Sequence, residues 1–166
     1  MKTARVNKNK DFIKDMAAAD TRKSISRRRK GRNMKPMRLH HVGIIMPTME
    51  KAEQFMEQFG LEKDYMEYVE AYHAYCLFTK YHADESPVEL IIPTEGVLTE
   101  FRNGKGGLHH IAFEVEDVEA VKDEYEQKGL MMLEEKPVEG AGGIIVNFLR
   151  PRFGFGVLVE FVQKAE

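Results

Sequence analysis

Two segments of the chain repeat each other, and this repeat constrains the possible folds more than any other feature of the sequence. Segment 39–46 reads LHHVGIIM, and segment 108–115 reads LHHIAFEV. The offset is 69 residues, and without gaps it aligns five further identical pairs: Glu50 with Glu119, Glu57 with Glu126, Gln58 with Gln127, Gly60 with Gly129, and Leu61 with Leu130. Such self-similarity predicts two copies of one supersecondary unit.

Each copy predicts the order βαβββ. Apolar residues at i, i+3, i+4 and i+7 indicate a helix after Thr48 and another after Asp117. Gly60 and Gly129 are typical of helix ends. The strands are expected at about 38–46, 63–70, 73–80 and 87–92, and at about 107–115, 130–135, 143–149 and 156–163. The sequence therefore predicts an α+β fold of two tandem modules, about 38–93 and 107–164.

The first 37 residues are predicted to be a basic, disordered N-terminal arm, and residues 38–166 the folded domain. Residues 1–38 carry fourteen Lys and Arg against three Asp, whereas the rest carries eleven against twenty-four Asp and Glu. Because the arm lacks periodicity, a solvated tail is favoured over a nucleic acid-binding segment. Deletion of residues 1–34 is expected to leave folding and activity intact.

The composition favours a cytoplasmic protein with no membrane partner. No apolar run approaches the length of roughly 18 residues that a membrane span needs, and no apolar stretch follows the basic N-terminus as in a signal peptide. The lone cysteine, Cys76, excludes an intrachain disulfide and fits a reducing compartment. Its apolar neighbours predict a small core residue.

The two opening strands place one histidine each on the same face. Val42 and Ile44 should face the helices, together with their counterparts in the second copy, so alternation sends His41 and His110 to the other face. His40 and His109 are then expected to point away as strand-edge residues.

Each copy also places one carboxylate inside an apolar strand. Glu89 lies in VELII and Glu160 in VLVEFV. A lone buried glutamate is costly unless it is paired or bound to metal. Imidazole and carboxylate together suit one divalent ion such as Zn, Ni, Co, Mn or Fe. The sequence therefore predicts a metal site of His41, Glu89, His110 and Glu160, against the alternative of two core histidines and two lysine-paired glutamates.

Beyond these four residues, several strings resemble the vicinal oxygen chelate superfamily, which includes glyoxalase I, extradiol dioxygenases and antibiotic-resistance binding proteins. The strings are HVGI, GLHHIAF, EKP followed by GAGG, NF, and GVLVE. They are most similar to the methylmalonyl-CoA epimerase-like branch. The resemblance covers residues 38–164, and it implies an open curved mixed sheet around the metal, the same four ligands, and a homodimer.

This resemblance implies a metal-dependent epimerase or isomerase that abstracts a proton alpha to a carbonyl. Such chemistry needs a base, and epimerisation needs two. Glu160 is predicted as one, and Glu70 and Glu89 are weaker candidates for the other. The predicted substrate-binding residues are Tyr72, Tyr75, Asn147, Arg150 and Arg152. The substrate is expected to be a small molecule, an acyl-CoA or a thiol adduct.

Two alternatives remain open. Epimerases of the family often carry glutamine where Glu89 stands, whereas glyoxalase I carries glutamate, so a glyoxalase I-like lactoylglutathione (thiol) lyase is the second hypothesis. The third is a non-catalytic small-molecule binding or resistance protein. A ring-cleaving dioxygenase is less favoured, because those enzymes generally use two histidines and one carboxylate.

Overall fold

The structure, a computed structural model, describes residues 37–164. Apart from Met37, the predicted arm lies outside the described residues. The described chain forms two helices and a single eight-stranded sheet in the order β2-β3-β4-β1-β5-β8-β7-β6. The strands are β1 Arg38–Ile45, β2 Lys63–Val69, β3 Ala74–Thr79, β4 Val88–Pro93, β5 Gly107–Glu114, β6 Val138–Glu139, β7 Ile145–Leu149 and β8 Val159–Gln163. The helices are α1 Met49–Phe59 and α2 Val118–Gln127. Short 3-10 turns cover Glu70–Tyr72, Val97–Glu100 and Ala141–Gly143.

The two modules meet along β1 and β5, which pair antiparallel at the centre of the sheet. Strand β4 pairs parallel with β1, and β8 pairs parallel with β5, so each opening strand lies beside the last strand of its own module. This arrangement confirms the α+β fold of two βαβββ modules around a mixed sheet. It also brings the strands that carry the four predicted ligands next to one another.

The helices begin and end at the predicted residues and cover one side of the sheet. The Thr48 hydroxyl accepts a hydrogen bond from an N–H in the first turn of α1, and Asp117 does the same for α2. Helix α1 ends at Gly60, whose φ of 64° favours glycine. Under α1 lie buried residues of β1, β3 and β4, and under α2 lie residues of β5, β7 and β8. Neither helix among the described residues is long and apolar enough to cross a membrane.

Two register shifts in the β1–β5 ladder correct the predicted alternation. One shift leaves His40 of β1 without a partner in β5, and the other leaves His109 of β5 without a partner in β1. Such bulges re-aim the side chains of a strand. His40 therefore does not point away from its neighbour: its Nδ1 lies 2.8 Å from Nδ1 of His41. His109 likewise lies with its Nδ1 2.9 Å from Nδ1 of His110.

The second module departs from the repeat at residues 130–135, where the predicted strand does not form. Met132 makes an isolated bridge to Leu149, and the short β6 follows later. The buried amide of Asn147 explains the difference. Its Oδ1 accepts from the Glu134 N–H at 3.3 Å, and its Nδ2 donates to the Glu134 carbonyl at 3.1 Å. A side chain thus satisfies backbone groups that a ladder would otherwise pair.

The sheet curls until β2, at one end, meets the turn Ala141–Gly143 that connects β6 and β7 at the other. The Gly142 N–H of the second module donates to Glu67 Oε2 of β2 at 2.8 Å. Gly142 has φ 75°, and an added Cβ there would lie 2.9 Å from the Tyr65 hydroxyl. A residue with a side chain would therefore be both strained and crowded at this contact. The curled sheet encloses a space lined by residues of one chain.

Candidate metal centre and cavity

Strand pairing brings the four predicted ligands together at the centre of the curled sheet. Gly43 of β1 is the register partner of both His110 on β5 and Glu89 on β4. Ala112 of β5 is the register partner of both His41 and Glu160. Because Gly43 and Ala112 are small, the larger side chains of their neighbours converge in the space beside them. An added Cβ on Gly43 would collide with the His110 ring.

The four side chains approach one another through their ligating atoms. The Nε2 atoms of His41 and His110 lie 2.9 Å apart. Glu160 Oε2 lies 3.0 Å from Nε2 of His41 and 3.2 Å from that of His110. Glu89 Oε2 lies 3.3 Å and 3.4 Å from the same two nitrogens. All four residues are buried.

These distances fit a divalent metal ion. Bonds of about 2.1 Å to imidazole and carboxylate place neighbouring donors roughly 3 Å apart around an ion. The buried Glu160 Oε2 has no hydrogen-bond partner among the described residues, although it lies within ion-pair distance of both imidazoles. A buried carboxylate oxygen without a donor is costly unless a cation satisfies it. The donor set of two imidazoles and two carboxylates suits a borderline ion.

In the metal-free protein these groups form a coupled ionic cluster. Burial opposes a charge on His41, but the carboxylates of Glu160 and Glu89 outweigh it and raise its pKa to about 9. Burial likewise opposes a charge on His110, and the same two carboxylates raise its pKa to about 10. Burial works against ionised carboxylates too, yet the two imidazoles lower the pKa of both Glu89 and Glu160. The metal-free cluster therefore holds protons that a bound cation would displace.

The bulged histidines form a second layer behind the predicted ligands. The Nε2 atoms of His41 and His110 face the centre of the cluster. Their Nδ1 atoms point the other way and contact Nδ1 of His40 and of His109. Burial, followed by the neighbouring histidine, lowers the pKa of each outer histidine to about 4. The outer imidazoles are therefore neutral at physiological pH, and each can form a hydrogen bond that orients a ligand ring.

An apolar cavity of about 240 Å³ leads to the cluster. All four cluster residues line it, together with His109, Tyr72 and Glu134. Much of the remaining wall is apolar, including Val69, Ile91, Ala141, Val146, Phe148 and Leu158. Cys76 lies in this wall, where burial and the Glu89 carboxylate raise the pKa of its thiol. The buried position agrees with the prediction for Cys76.

Of the other predicted site residues, only Tyr72 lines this cavity. Glu70 is exposed on the turn Glu70–Tyr72, and Tyr75 is 38% exposed with its ring against Tyr68. Asn147 is fully buried and is occupied with the backbone of Glu134.

The two predicted arginines also lie outside the cavity wall. Arg150 Nε donates to the Met132 carbonyl at 3.0 Å. Arg152 is exposed, with its guanidinium 4.5 Å from the Phe153 ring centre. Both guanidinium groups thus contact nearby protein groups outside the cavity.

Sequence reasoning missed Glu134 and the roles of His40 and His109. Glu134 aligns with Tyr65 under the 69-residue offset, so the repeat contains no signal for it. The doubled histidines were a usable signal, because the same pair occurs in both copies. Only the bulges, which simple alternation does not predict, bring the outer histidines to the ligands.

A curved sheet of two βαβββ modules around two histidines and two glutamates defines a fold of the vicinal oxygen chelate type. Residues 40–148 match the Glyoxalase/Bleomycin resistance protein/Dioxygenase superfamily, and the chain belongs to this superfamily. The resemblance inferred from the sequence is thereby confirmed.

Relatives within the superfamily indicate which class of enzyme the chain belongs to. The chain is similar to an ethylmalonyl-CoA/methylmalonyl-CoA epimerase of Cereibacter sphaeroides, with 33% identity over 134 residues, 76% of this chain and 97% of that protein. It is 32% identical over 131 residues to the human mitochondrial methylmalonyl-CoA epimerase, covering 76% of this chain and 73% of that protein. A Streptomyces coelicolor methylmalonyl-CoA epimerase, solved in complex with 2-nitronate-propionyl-CoA, has a TM-score of 0.70 and 29% identity over 80% of this chain and 100% of that one. The chain is an enzyme of this superfamily, of the epimerase and isomerase class.

Proposed function

We propose that the protein is a metal-dependent epimerase that removes and returns a proton alpha to a carbonyl, with a methylmalonyl-type thioester as its substrate. The observation that supports this most directly is the convergence of His41, Glu89, His110 and Glu160 at an apolar cavity, with Glu160 Oε2 buried and lacking a hydrogen-bond donor. The epimerase relatives support the choice of substrate, since one of them was solved with an acyl-CoA analogue.

The four clustered side chains would hold one divalent ion. When bound, such an ion supplies Lewis-acid stabilisation of the negative charge that develops on the carbonyl oxygen. The outer histidines orient the imidazoles, because each ligand Nδ1–H donates to its neighbour's Nδ1 once Nε2 is the ligating atom. The apolar wall limits water around the reacting atoms, which strengthens electrostatic interactions there.

Glu160 is proposed as the first base as well as a loosely held ligand. Its Oε2 is the carboxylate oxygen nearest both imidazoles, and it lies in the cavity wall without a competing hydrogen bond. A positioned carboxylate that removes a proton in the transition state contributes a factor of about 10² to 10⁴ in rate. Glu89 is more distant from the imidazoles and serves as a ligand.

The test is proton exchange in deuterated water, followed by NMR. The metal-loaded protein is incubated with methylmalonyl-CoA and, in a separate sample, with methylglyoxal and a thiol. Incorporation of deuterium at the methylmalonyl α-carbon is expected, and chelator-treated protein is the control. A metal-replete protein that leaves this proton in place would contradict the proposal.

A glyoxalase I-like lyase is the second candidate, and Glu89 favours it. A carboxylate at this position gives the proposed ligand set two negative charges. The resemblance associates glutamate here with glyoxalase I, whereas epimerases often carry glutamine. A thioester product from the methylglyoxal mixture, without exchange in methylmalonyl-CoA, would establish this alternative. A purely binding role is less favoured because the complete ligand set is present.

We further propose a homodimer and a cytoplasmic location. The family resemblance supports the dimer, and the single buried cysteine fits a reducing compartment. Light scattering after size exclusion would decide the oligomeric state, with a monomer contradicting it. Metal analysis of the purified protein would identify the ion among Zn, Ni, Co, Mn and Fe.

A further inference from the structure

Epimerisation by the proposed function needs a second proton-transfer group, because the proton must return to the other face of the α-carbon. Neither predicted candidate serves. Glu70 is exposed outside the cavity. Glu89 and Glu160 approach the same two imidazole nitrogens, so Glu89 lies in the same cluster as the first base and not across the cavity from it. A different side chain in the cavity wall must therefore supply or accept this proton.

Tyr72 has a hydroxyl group that can donate a proton, and the residue lines the cavity. It ends the turn Glu70–Tyr72 and lines the cavity, with its ring edge-on to Phe148 at a centroid distance of 6.0 Å. The hydroxyl is buried and has no hydrogen-bond partner within the described residues. A buried hydroxyl without a partner is unfavourable, because it has given up its hydrogen bonds to water. A bound substrate would remove that cost.

The backbone directly after Tyr72 has an unusual conformation that hydrogen bonds hold in place. The next residue, His73, has φ 48°, a conformation that few non-glycine residues adopt. Its carbonyl accepts hydrogen bonds from both the N–H and the hydroxyl of Thr94, each at 2.8 Å. Strained conformations that the surrounding structure over-determines occur often at functional sites.

Glu134 lies in the same cavity, contributed by the other module. Its Oε2 accepts from the Phe148 N–H at 3.2 Å, and the buried Asn147 amide binds its backbone on both sides. Phe148 is in turn the register partner of Glu160 on β8. The carboxylate is therefore held in a defined place one strand away from the proposed first base.

Tyr72 and Glu134 also interact electrostatically. Burial, followed by the charge of Glu134, raises the pKa of the Tyr72 hydroxyl, which remains protonated at neutral pH. Burial is the main cause that raises the pKa of Glu134, so its carboxyl group carries a proton more often than an exposed glutamate would.

We propose that Tyr72 is the second proton-transfer residue of the epimerase and that Glu134 acts behind it as a proton reservoir. The proposal rests on the proposed function. Glu160 takes the α-proton, and the electron pair of the broken C–H bond delocalises into the enolate. The Tyr72 hydroxyl gives its proton to the other face of the α-carbon, forming the new C–H bond. The Glu134 carboxyl group reprotonates the tyrosinate, and exchange of protons with solvent resets both carboxyl groups.

The test is the Tyr72→Phe variant in deuterated water, started from each pure methylmalonyl-CoA epimer. Inversion is expected to fall by a factor of about 10² to 10⁴. The epimer whose proton faces Glu160 should still exchange it, with retention of configuration, because Glu160 can remove and return a proton on one face. Thermal stability should be unchanged or higher, since the substitution removes an unsatisfied buried hydroxyl.

Matched variants separate this role from cavity shape. Tyr68 lies on β2, just before the turn that carries Tyr72, and its hydroxyl is 3.4 Å from the Thr94 hydroxyl. Tyr68→Phe is expected to behave as wild type. Glu134→Gln keeps an acceptor for the Phe148 N–H and should lower inversion while sparing single-face exchange. Glu135→Gln, at the exposed neighbouring position, should change neither.

Two outcomes would overturn the assignment of Tyr72. One is wild-type inversion in Tyr72→Phe, and the other is loss of exchange and inversion in equal proportion for both epimers, which a purely structural role would produce. If the wild-type protein itself exchanges no α-proton, the proposed function fails, and the second proton-transfer role fails with it.

Discussion

Gly43 on β1 lies opposite His110 on β5, and the space that a side chain would fill at Gly43 is occupied by the imidazole ring. The repeat-related position is Ala112, opposite His41. The duplication therefore tolerates a methyl group at one position and excludes it at the other. The candidate metal centre therefore requires glycine at position 43.

Gly43→Ala is accordingly expected to displace the His110 ring and to weaken metal binding by about 10- to 100-fold, the effect typical of a disturbed ligand orientation. Gly43 does not have a positive φ, so the loss would come from the clash and not from backbone strain. Gly60→Ala is the control. It introduces strain at φ 64° in open space and should cost about 1 kcal/mol of stability while metal affinity is retained. Equal metal affinity in both variants, measured by competition with a chelator, would contradict the expectation.

The outer histidines provide a second prediction. His109→Ala removes the partner of the His110 Nδ1, and His40→Ala removes that of the His41 Nδ1. Each substitution should lower metal affinity by about 10- to 100-fold, because the ligand ring loses the hydrogen bond that orients it. His82→Ala, at an exposed position, is the matched control. Unchanged affinity in both variants, by isothermal titration with the metal, would show that the bulged histidines do not support the ligands.

The stability of the metal-free protein should fall as pH rises from neutral. In the folded state the carboxylates raise the pKa of His41 to about 9 and that of His110 to about 10, both above the ordinary value of 6.5. Their stabilising contribution is fully present below about pH 6.5, and it is lost as pH rises through these folded-state values. The melting temperature of chelator-treated protein should thus decrease between pH 6.5 and pH 9.

Metal-loaded protein should show the opposite dependence over this pH range. A cation binds the neutral imidazoles, so fewer protons compete with it as pH rises. The chelator-treated and metal-loaded samples can be compared in the same buffers. A melting temperature of the metal-free protein that stays level from pH 6.5 to pH 9 would indicate that the cluster is not protonated in the folded state.

The repeat explains why so much of the centre was predictable from the sequence. His41 and His110 align by the offset itself, and Glu89 and Glu160 occupy matching strands, so one symmetry argument places four residues. Glu134, the proposed proton reservoir, has no such signal. Glu134 lies where the second copy abandons its expected strand because the Asn147 side chain satisfies the backbone instead.

The prediction from strand alternation was wrong for His40 and His109, which lie at the two register shifts between β1 and β5. A strand of period two sends adjacent residues to opposite faces, yet His109 and His110 both line the cavity. The bulge that causes this depends on how β1 pairs with β5, which are far apart in the chain. Long-range pairing of this kind is not encoded in the pattern of a single strand.

The two repeat-related carboxylates allow the base to be separated from the ligand. Glu160→Gln is expected to fold and to lower turnover by about 10² to 10⁴, since an amide cannot accept the α-proton. Glu89→Gln preserves an oxygen donor in a ligand position and should keep turnover within about tenfold, well below the loss expected for a missing base. Both variants should still bind metal, because His41 and His110 remain, and this is checked by metal analysis of the purified proteins. Turnover is followed as α-proton exchange with methylmalonyl-CoA. Equal losses in the two metal-replete variants would mean that Glu160 acts as a ligand alone, and near-normal exchange in Glu160→Gln would assign the base to another residue.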